Sequence, residues 1–301
     1  RRVNIALVAF DEAHCISKWG HDFRPSYQSV IQKVFTLPQN FTIVALTATA
    51  TAEVQQDIMS KLSIGQNDVV KTSTKRRNLI FKVNPTYQRQ KFVVDYVANH
   101  EGQAGIIYCS TRKQVEELHE ALNNEKIKST IYHAGLTNKE RIEAQNDFLY
   151  DRVEVVIATN AFGMGIDKSN VRYVIHYNMP GDLESYYQEA GRAGRDGLKS
   201  ECILLFSERD KGLHEYFITV SQADDDYKDK MGEKLTKMIQ YTKTKKCLEA
   251  TIVHYFEPNE NLEECNQCSN CIQENKTYDM TREAKMIISC IARMKQQESY
   301  S

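Results

Sequence analysis

The chain has 301 residues, of which 41% are hydrophobic and 26% are charged, with 13 glycines and 5 prolines. This length suggests about two domains, and the composition excludes collagen-like, low-complexity and strongly disordered chains. The 39 basic and 40 acidic side chains give a formal net charge of -1, so any basic surface for a polyanion must be local. The apolar runs are far shorter than the ~20 residues of a membrane span. Because the chain opens Arg1-Arg2-Val3, without a Met or an apolar signal sequence, we expect it to begin within a longer protein.

Short apolar runs alternate with helical patterns over residues 1–74. Strands are predicted at 5–10 and 42–46, and helices at 27–35 and 51–62. Such alternation is typical of a parallel sheet with helices on both faces.

The same alternation restarts after the polar segment 75–78. Strands are predicted at 104–108, 129–132, 153–158, 171–177 and 202–206, and helices at 113–123, after Thr137 and at 183–190. Thr111 with Gln114, and Thr137 with Glu140, have the spacing of capping boxes that start helices. The pattern predicts an α/β protein with two lobes. After Ser207, long charged helices with many lysines indicate a third, smaller unit, whose basic stretch at 227–247 is either a local basic surface or a solvated helix face.

Two adjacent carboxylates, Asp11 and Glu12, directly follow the first predicted strand. Ligands of open α/β sheets bind at the carboxyl ends of strands. In nucleotide hydrolysis such an Asp can hold Mg2+, and such a Glu can orient or deprotonate the attacking water. A strand followed by Asp-Glu is also common in plain helix caps, so this pair gains weight only with the later motifs.

Two further motifs follow strands or helices of the second lobe. Residues 158–167 contain glycines that permit close backbone approach, and end in Asp167, which could face a cleft. Residues 188–197 place Arg192 and Arg195 at the end of a helix, where a guanidinium pair can clamp a γ-phosphate held by the other lobe. Each motif alone could be a Gly-rich turn. Together and in this order, they favour a nucleotide site between the lobes.

The segment after Glu12 is rich in rings. It holds Trp19, His21, Phe23, Arg24 and Tyr27. Stacking on such a platform is worth about 1–3 kcal/mol per nucleic-acid base, without sequence preference. The segment therefore suits single-stranded nucleic acid, and the alternative is a set of aromatic residues that fill the core beneath a loop.

Four of the eight cysteines lie close together near the end of the chain: Cys247, Cys265, Cys268 and Cys271. Cys-x-x-Cys spacing lets neighbouring thiolates face one tetrahedral ion, with zinc–sulfur distances of about 2.3 Å. Four protein ligands leave no position for a water, so we expect a structural zinc site whose loss unfolds this unit.

The order of these motifs resembles helicase motifs II to VI of superfamily 2, and their variants resemble the RecQ family of DNA helicases, bacterial type, over essentially the whole chain. The resemblance implies two RecA-like lobes at 1–74 and 75–207, the first lacking its N-terminal part. It also implies a helical zinc-binding subdomain at 208–276 and the start of a winged-helix domain at 277–301.

The resemblance implies an ATP-driven motor that moves 3′ to 5′ on single-stranded DNA and unwinds duplexes, including forks, in DNA repair and recombination. It implies a cytoplasmic protein at the bacterial nucleoid, a monomer, with Mg2+ and ATP as cofactors beside Zn2+ and with single-strand binding protein as a partner.

The family's functional residues can be carried over by position. Asp11 would bind the Mg2+, Glu12 would be the catalytic base, and His14 would couple the site to DNA. Arg195 would be the arginine finger and Arg192 a second phosphate contact. Gln188 and Asp167 would contact the nucleotide. The DNA-responsive residues would be Trp19, Phe23 and Arg24.

One expected motif is missing. No Gly-Lys dipeptide occurs in the sequence, so the phosphate-binding loop G-x-x-x-x-G-K-[ST] is absent. We therefore predict that this chain alone neither hydrolyses ATP well nor unwinds DNA. Two alternatives stay open: an RNA helicase of the same superfamily, and a zinc-stapled nucleic-acid-binding module without motor activity.

Overall fold

A computed structural model describes residues 5–20, 22–38, 40–163, 166–272 and 281–297. The chain divides into two compact units, Arg1–Cys271 and Ile272–Ser301, which are taken separately. Among the described helices, none is long and apolar enough to cross a membrane.

The first lobe has a small parallel sheet with helices around it. Its elements are β1 (Leu7–Phe10), a 3-10 turn (Ala13–Ile16), α1 (Pro25–Phe35), β2 (Thr42–Ala45) and α2 (Ala52–Leu62). Strand β1 pairs in parallel with β2, with Phe10 opposite Ala45. The apolar face of α2 is buried against this pair, and the Thr51 hydroxyl accepts a hydrogen bond from the Val54 N–H to cap the helix. All four predicted elements are present, with slightly different ends.

The second lobe is a larger parallel α/β layer. Its strands are β3 (Leu79–Pro85), β4 (Ala104–Tyr108), β5 (Ser129–Tyr132), β6 (Val155–Ala158), β7 (Val171–His176) and β8 (Ser200–Phe206). Its helices are α3 (Arg89–Ala98), α4 (Arg112–Asn124), α5 (Asn138–Leu149) and α6 (Leu183–Ala190). The described strands lie in the order β3-β8-β7-β4-β6-β5, all parallel. Strands β4 and β6 are buried throughout, as expected for the centre of a sheet with two covered faces.

The sequence patterns missed two of these elements and half of one cap. Strand β3 and helix α3 were not among the predicted elements. The pattern of β3 is weak because the strand mixes Lys82 and Asn84 with its apolar residues. The capping box of Thr137 and Glu140 is complete. At the start of α4, the Thr111 hydroxyl accepts from the Gln114 N–H, but the Gln114 side-chain oxygen is buried without a hydrogen-bond partner. The expected capping box of Thr111 and Gln114 is therefore wrong in one respect, because the Gln114 side chain does not accept a hydrogen bond from the Thr111 N–H.

The helices after β8 share a core with the second lobe. They are α7 (Glu208–Val220), α8 (Asp225–Lys243), α9 (Leu248–Phe256) and the short α10 (Ser269–Ile272). Tyr241 of α8 lies against Tyr186 of α6, with ring centroids 5.4 Å apart. The Gln267 side chain donates to the carbonyl of Leu79 in β3 at 3.2 Å. Because one continuous set of buried side chains runs from the sheet into α8 and α9, this part packs as an extension of the second lobe.

The second compact unit is described over α11 (Thr281–Gln297). Its apolar residues Met286, Ile287, Ile288 and Ile291 are exposed. The predicted domain boundary at 276/277 lies outside the described residues.

Candidate nucleotide site and zinc centre

Asp11 and Glu12 leave the sheet at the carboxyl end of β1. Glu12 has φ 47° and ψ 46°, the left-handed region that residues other than glycine rarely adopt. Such a conformation costs about 1–3 kcal/mol and clusters at functional sites. The backbone carbonyl of Asp11 accepts a hydrogen bond from the Tyr27 hydroxyl at 3.1 Å, and the Glu12 N–H donates to the Asp11 carboxylate at 2.9 Å. These contacts hold the acidic pair at the end of the strand.

His14 lies between the acidic pair and the segment after β2. Its side chain is 1% exposed, and its Nδ1 is 3.3 Å from the Glu12 carboxylate and 3.0 Å from the Thr47 hydroxyl. A Cβ on Gly20 would stand 2.2 Å from the His14 carbonyl oxygen, so only glycine permits this close passage of the loop. His14 thus connects Glu12 to Thr47. The sequence did not predict this contact, because it shows only that Thr47 follows a strand.

A cavity of about 790 Å³ lies between the two lobes. Glu12 and Thr47 line it from the first lobe, and Gln188, Arg192 and Arg195 line it from the second. The Gln188 side-chain amide donates to the Glu12 carboxylate across the gap at 3.4 Å. The structure therefore brings Glu12 and the guanidinium pair to one crevice, in which opposite charges face each other, whereas Asp11 is exposed and is not among the residues that line it.

The two arginines are held differently. Arg192 is 7% exposed and donates to the carbonyl of Gly163, where a Cβ would stand 2.9 Å from the guanidinium. Arg195 is more exposed, and it donates to the Asp167 carboxylate at 2.8 Å and to the Ile166 carbonyl at 3.0 Å. Asp167 itself is 89% exposed and pairs with Arg195 instead of lining the cavity. Met164 and Gly165 of the same motif lie outside the described residues.

The linker between the lobes forms hydrogen bonds with the end of α6 and with the turn that contains these arginines. The Arg76 guanidinium donates to the carbonyls of Ala193 and Gly194 at 3.4 and 3.2 Å. The Tyr187 hydroxyl donates to the carbonyl of Thr74. Sequence reasoning took 75–78 as a polar junction, because a basic run gives no sign of its distant backbone partners.

The aromatic segment lies beside the crevice. A second cavity, of about 290 Å³, is lined by Asp22 and Arg24 of the segment and also by Glu12 and Arg192. Arg24 pairs with Asp22 at 2.6 Å. Trp19 and Phe23 are partly buried, and Trp19 packs against the first-lobe core. His21 lies outside the described residues. The segment therefore packs on the first-lobe core through Trp19, and it lines a cavity together with Glu12 through Asp22 and Arg24.

The four clustered cysteines fit a zinc ion. Their sulfur atoms all lie within 4.8 Å of one another, with 3.9 Å for the pair Cys247 and Cys268 and 3.9 Å for the pair Cys265 and Cys271. A tetrahedral ion with zinc–sulfur distances of about 2.3 Å places its sulfurs about 3.8 Å apart. Cys247 caps α9, its sulfur accepting from the Ala250 N–H at 3.4 Å. The geometry and the donor set therefore match a structural four-thiolate site.

Hydrogen bonds favour the thiolate form of one cysteine at this site, Cys268. The Cys247 thiol, with the backbone N–H of Leu248, lowers the pKa of Cys268 to about 4. Burial raises the pKa of Cys265 to about 11. Zinc binds thiolates, so its binding replaces the protons that Cys247 and Cys265, whose pKa values are raised, would keep at neutral pH.

Comparisons with known proteins agree with this geometry. Residues 2–58 match the family model "DEAD/DEAH box helicase", residues 88–197 match "Helicase conserved C-terminal domain", and residues 208–272 match "RecQ zinc-binding". The ATP-dependent DNA helicase RecQ of Bacillus subtilis is 47% identical over 294 residues, which cover 98% of this chain and 49% of that protein. The protein of the same name from Pasteurella multocida is 37% identical over 97% of this chain and 46% of its own length. The chain thus spans about half the length of these curated relatives.

Among solved structures, S. cerevisiae Dbp5 bound to RNA and ADP BeF3 matches with a TM-score of 0.57 at 21% identity, over 78% of this chain and 64% of that chain. At this identity the likeness concerns the fold alone. Fold and site together define a helicase core of two RecA-like lobes, extended by a helical zinc-binding unit. The chain belongs to the RecQ family of helicases.

We expect Cys268→Ser to abolish zinc binding and to unfold α9 and the cysteine loop, because structural zinc contributes about 10–16 kcal/mol of binding free energy that here is also folding free energy. The measurements are the zinc content of the purified chain and its thermal transition by circular dichroism. Cys290→Ser is the matched control, because Cys290 is exposed and outside the cluster. A Cys268→Ser chain with full zinc content and an unchanged transition would contradict the assignment.

Proposed function

We propose that this chain is part of an ATP-dependent DNA helicase, in which ATP hydrolysis drives 3′ to 5′ movement along single-stranded DNA and duplex unwinding. The observation that carries the proposal is the crevice between the lobes, where Glu12 faces Gln188, Arg192 and Arg195. Relatives named RecQ support it over nearly the whole chain. The proposed parts are residues 1–74 and 75–207 for the two motor lobes, 208–276 for the zinc-binding subdomain and 277–301 for the start of a winged-helix domain.

In the proposed mechanism, Asp11 would hold Mg2+, which would supply charge neutralisation at the ATP phosphates. Glu12 accepts the proton of the attacking water. Arg192 and Arg195 stabilise the charge that develops on the transferred phosphoryl group, and Gln188 orients the groups around it, whereas Asp167 acts only through its pair with Arg195. Since these residues come from both lobes, hydrolysis is efficient only when the lobes close on the nucleotide.

DNA reaches this chemistry through the aromatic segment. Trp19 and Phe23 offer rings for base stacking, and Arg24 offers a cation for the backbone. His14 contacts Glu12 and directly precedes the aromatic segment in the chain. A DNA strand bound to the segment can therefore change the position of Glu12, the proposed general base. We place the protein in DNA repair and recombination in the bacterial cytoplasm, as a monomer acting on single strands and forks, with single-strand binding protein as a candidate partner.

The first test concerns the base. In the full-length protein, Glu12→Gln should lower the DNA-stimulated ATPase kcat by about 10²–10⁴-fold, because the amide cannot accept the proton, and should leave ATP affinity nearly unchanged. The measurements are steady-state ATPase rates and equilibrium binding of a fluorescent ATP analogue. Glu117→Gln, an exposed change on α4, is the control. An equal loss in both variants, or none in Glu12→Gln, would refute the assignment.

The second test separates the arginine from its partner. Arg195→Ala should lower kcat by about 10³-fold or more, because a charge on the phosphoryl group goes unpaired. Asp167→Asn should retain most of the rate, because this exposed pair with Arg195 contributes little energy. If Asp167→Asn loses as much activity as Arg195→Ala, then Asp167 acts on the nucleotide directly and not through Arg195.

The third test concerns the missing phosphate loop and the choice of nucleic acid. The 301-residue chain alone should show no nucleic-acid-stimulated ATPase, because no Gly-Lys sequence cradles the phosphates. The full-length protein should be stimulated by single-stranded DNA more than by RNA of the same sequence. Stronger stimulation by RNA would favour the RNA helicase, and no stimulation by either would favour a binding module without a motor.

A further inference from the structure

Helix α8 contacts two other parts of the molecule through one buried ammonium. Lys234 of α8 is 5% exposed, and its Nζ lies 3.0 Å from the carboxylate of Glu184 on α6, which is 2% exposed. The same Nζ donates to the backbone carbonyl of Trp19 at 2.8 Å. One side chain of the zinc-binding unit thus links the second-lobe helix α6 to the aromatic segment of the first lobe.

Two outer ion pairs join the same surfaces. Lys18 pairs with Asp224 at the start of α8 at 2.8 Å, and Lys230 of α8 pairs with Glu53 at 2.7 Å. The ammonium groups of Lys18 and Lys230 also lie 5.3 and 6.0 Å from the Trp19 ring. These outer pairs are partly exposed and screened by solvent, so they add little fixed geometry. The buried Lys234 contact is the one that constrains the loop.

Because the ion pair of Lys234 and Glu184 is buried, its stability depends on the position of the loop that contains Trp19. A buried ammonium needs an opposite charge and hydrogen-bond acceptors, and here the Glu184 carboxylate supplies the charge and the Trp19 carbonyl accepts a hydrogen bond. If the loop moves, Lys234 loses one acceptor in a site that water does not reach freely. The cost of that loss links the position of Trp19 to the position of Glu184, and hence to α6.

Helix α6 connects this pair to the crevice. Glu184 lies in its first turn, Gln188 in its last, and Arg192 and Arg195 follow its end. At its other end α8 is fixed near the zinc centre, where the Asn270 side chain donates to the carbonyls of Thr244 and Lys246 at 2.9 and 2.8 Å. The contact therefore sits on a helix anchored at the zinc centre and reaches both the DNA-responsive segment and the phosphate-binding arginines.

We propose that Lys234 is a positioning residue, which holds the Trp19 segment against α6 and couples strand binding there to the arginines of the crevice. The positioning step follows from the contacts of Lys234 alone. The coupling step rests on the proposed function. Two measurements test the two steps separately.

The first measurement uses Trp19, the only tryptophan of the chain, as a reporter. In the zinc-loaded chain, Lys234→Met should shift the indole emission to the red and raise its acrylamide quenching constant, because the segment loses its buried anchor. Lys243→Met is the matched control: it removes a lysine of the same helix that pairs with Glu208 away from the segment, and it should leave the emission unchanged. Lys234→Arg should restore much of the wild-type signal. Emission of Lys234→Met identical to that of the wild type would overturn the proposal.

Only variants with wild-type zinc content and a cooperative thermal transition are compared. If Lys234→Met does not fold, the double variant Lys234→Met with Glu184→Gln removes both buried charges and carries the same comparison against Glu184→Gln alone.

The second measurement is the ATPase of the full-length protein with and without single-stranded DNA. Lys234→Met should keep the basal rate and lose stimulation severalfold, whereas Lys243→Met should keep both. A changed Trp19 emission with undiminished stimulation would overturn the coupling step. Absence of stimulation in the wild type would instead refute the proposed function, and the emission data would still decide whether Lys234 positions the segment.

Discussion

The proposed nucleotide site depends on opposite charges that two lobes bring to one crevice. Glu12 stands at the end of a strand in the first lobe, and Arg192 and Arg195 follow a helix of the second. Neither side is complete alone, because phosphoryl transfer needs a group that activates water and cations that take up the developing charge. The relative position of the lobes is therefore the quantity that the remaining contacts must set.

Those contacts surround the turn that contains Arg192 and Arg195. Arg76 holds the turn from the linker, and the Gly163 carbonyl holds Arg192 from the second-lobe motif. From the other side, α8 and α9 share the apolar core of the second lobe, and the zinc centre ties α9 to the loop of Cys265 and Cys268. Because the zinc-binding unit has no separate core, its loss would expose the inner face of the second lobe. Its structural role extends in this way to the crevice.

Much of this architecture could be predicted from the sequence. Strands β4 and β6 are uninterrupted apolar runs, which favour a buried parallel sheet, and the cysteine spacing identifies the set of zinc ligands. The sequence also marks Asp11, Glu12, Arg192 and Arg195, because strand ends and helix ends place such residues on a shared edge. It did not reveal β3, an edge strand with mixed polarity, nor the partners of Arg76 and Lys234. Arg76 and Lys234 each donate to a backbone carbonyl more than 100 residues away, and no local pattern encodes such a contact.

The two arginines differ in a way that suits a moving site. Arg192 is nearly buried and fixed by a carbonyl, so moving it would leave a charge without an acceptor in a poorly solvated place. Arg195 is exposed and held mainly by Asp167, a pair that solvent screens and that is easily exchanged for a phosphate. The structure thus offers one guanidinium that defines the wall of the crevice and one that can reach into it. Since only interactions that strengthen in the transition state raise the rate, the exchangeable Arg195 is, of the two, the one that we propose to act on the transferred phosphoryl group.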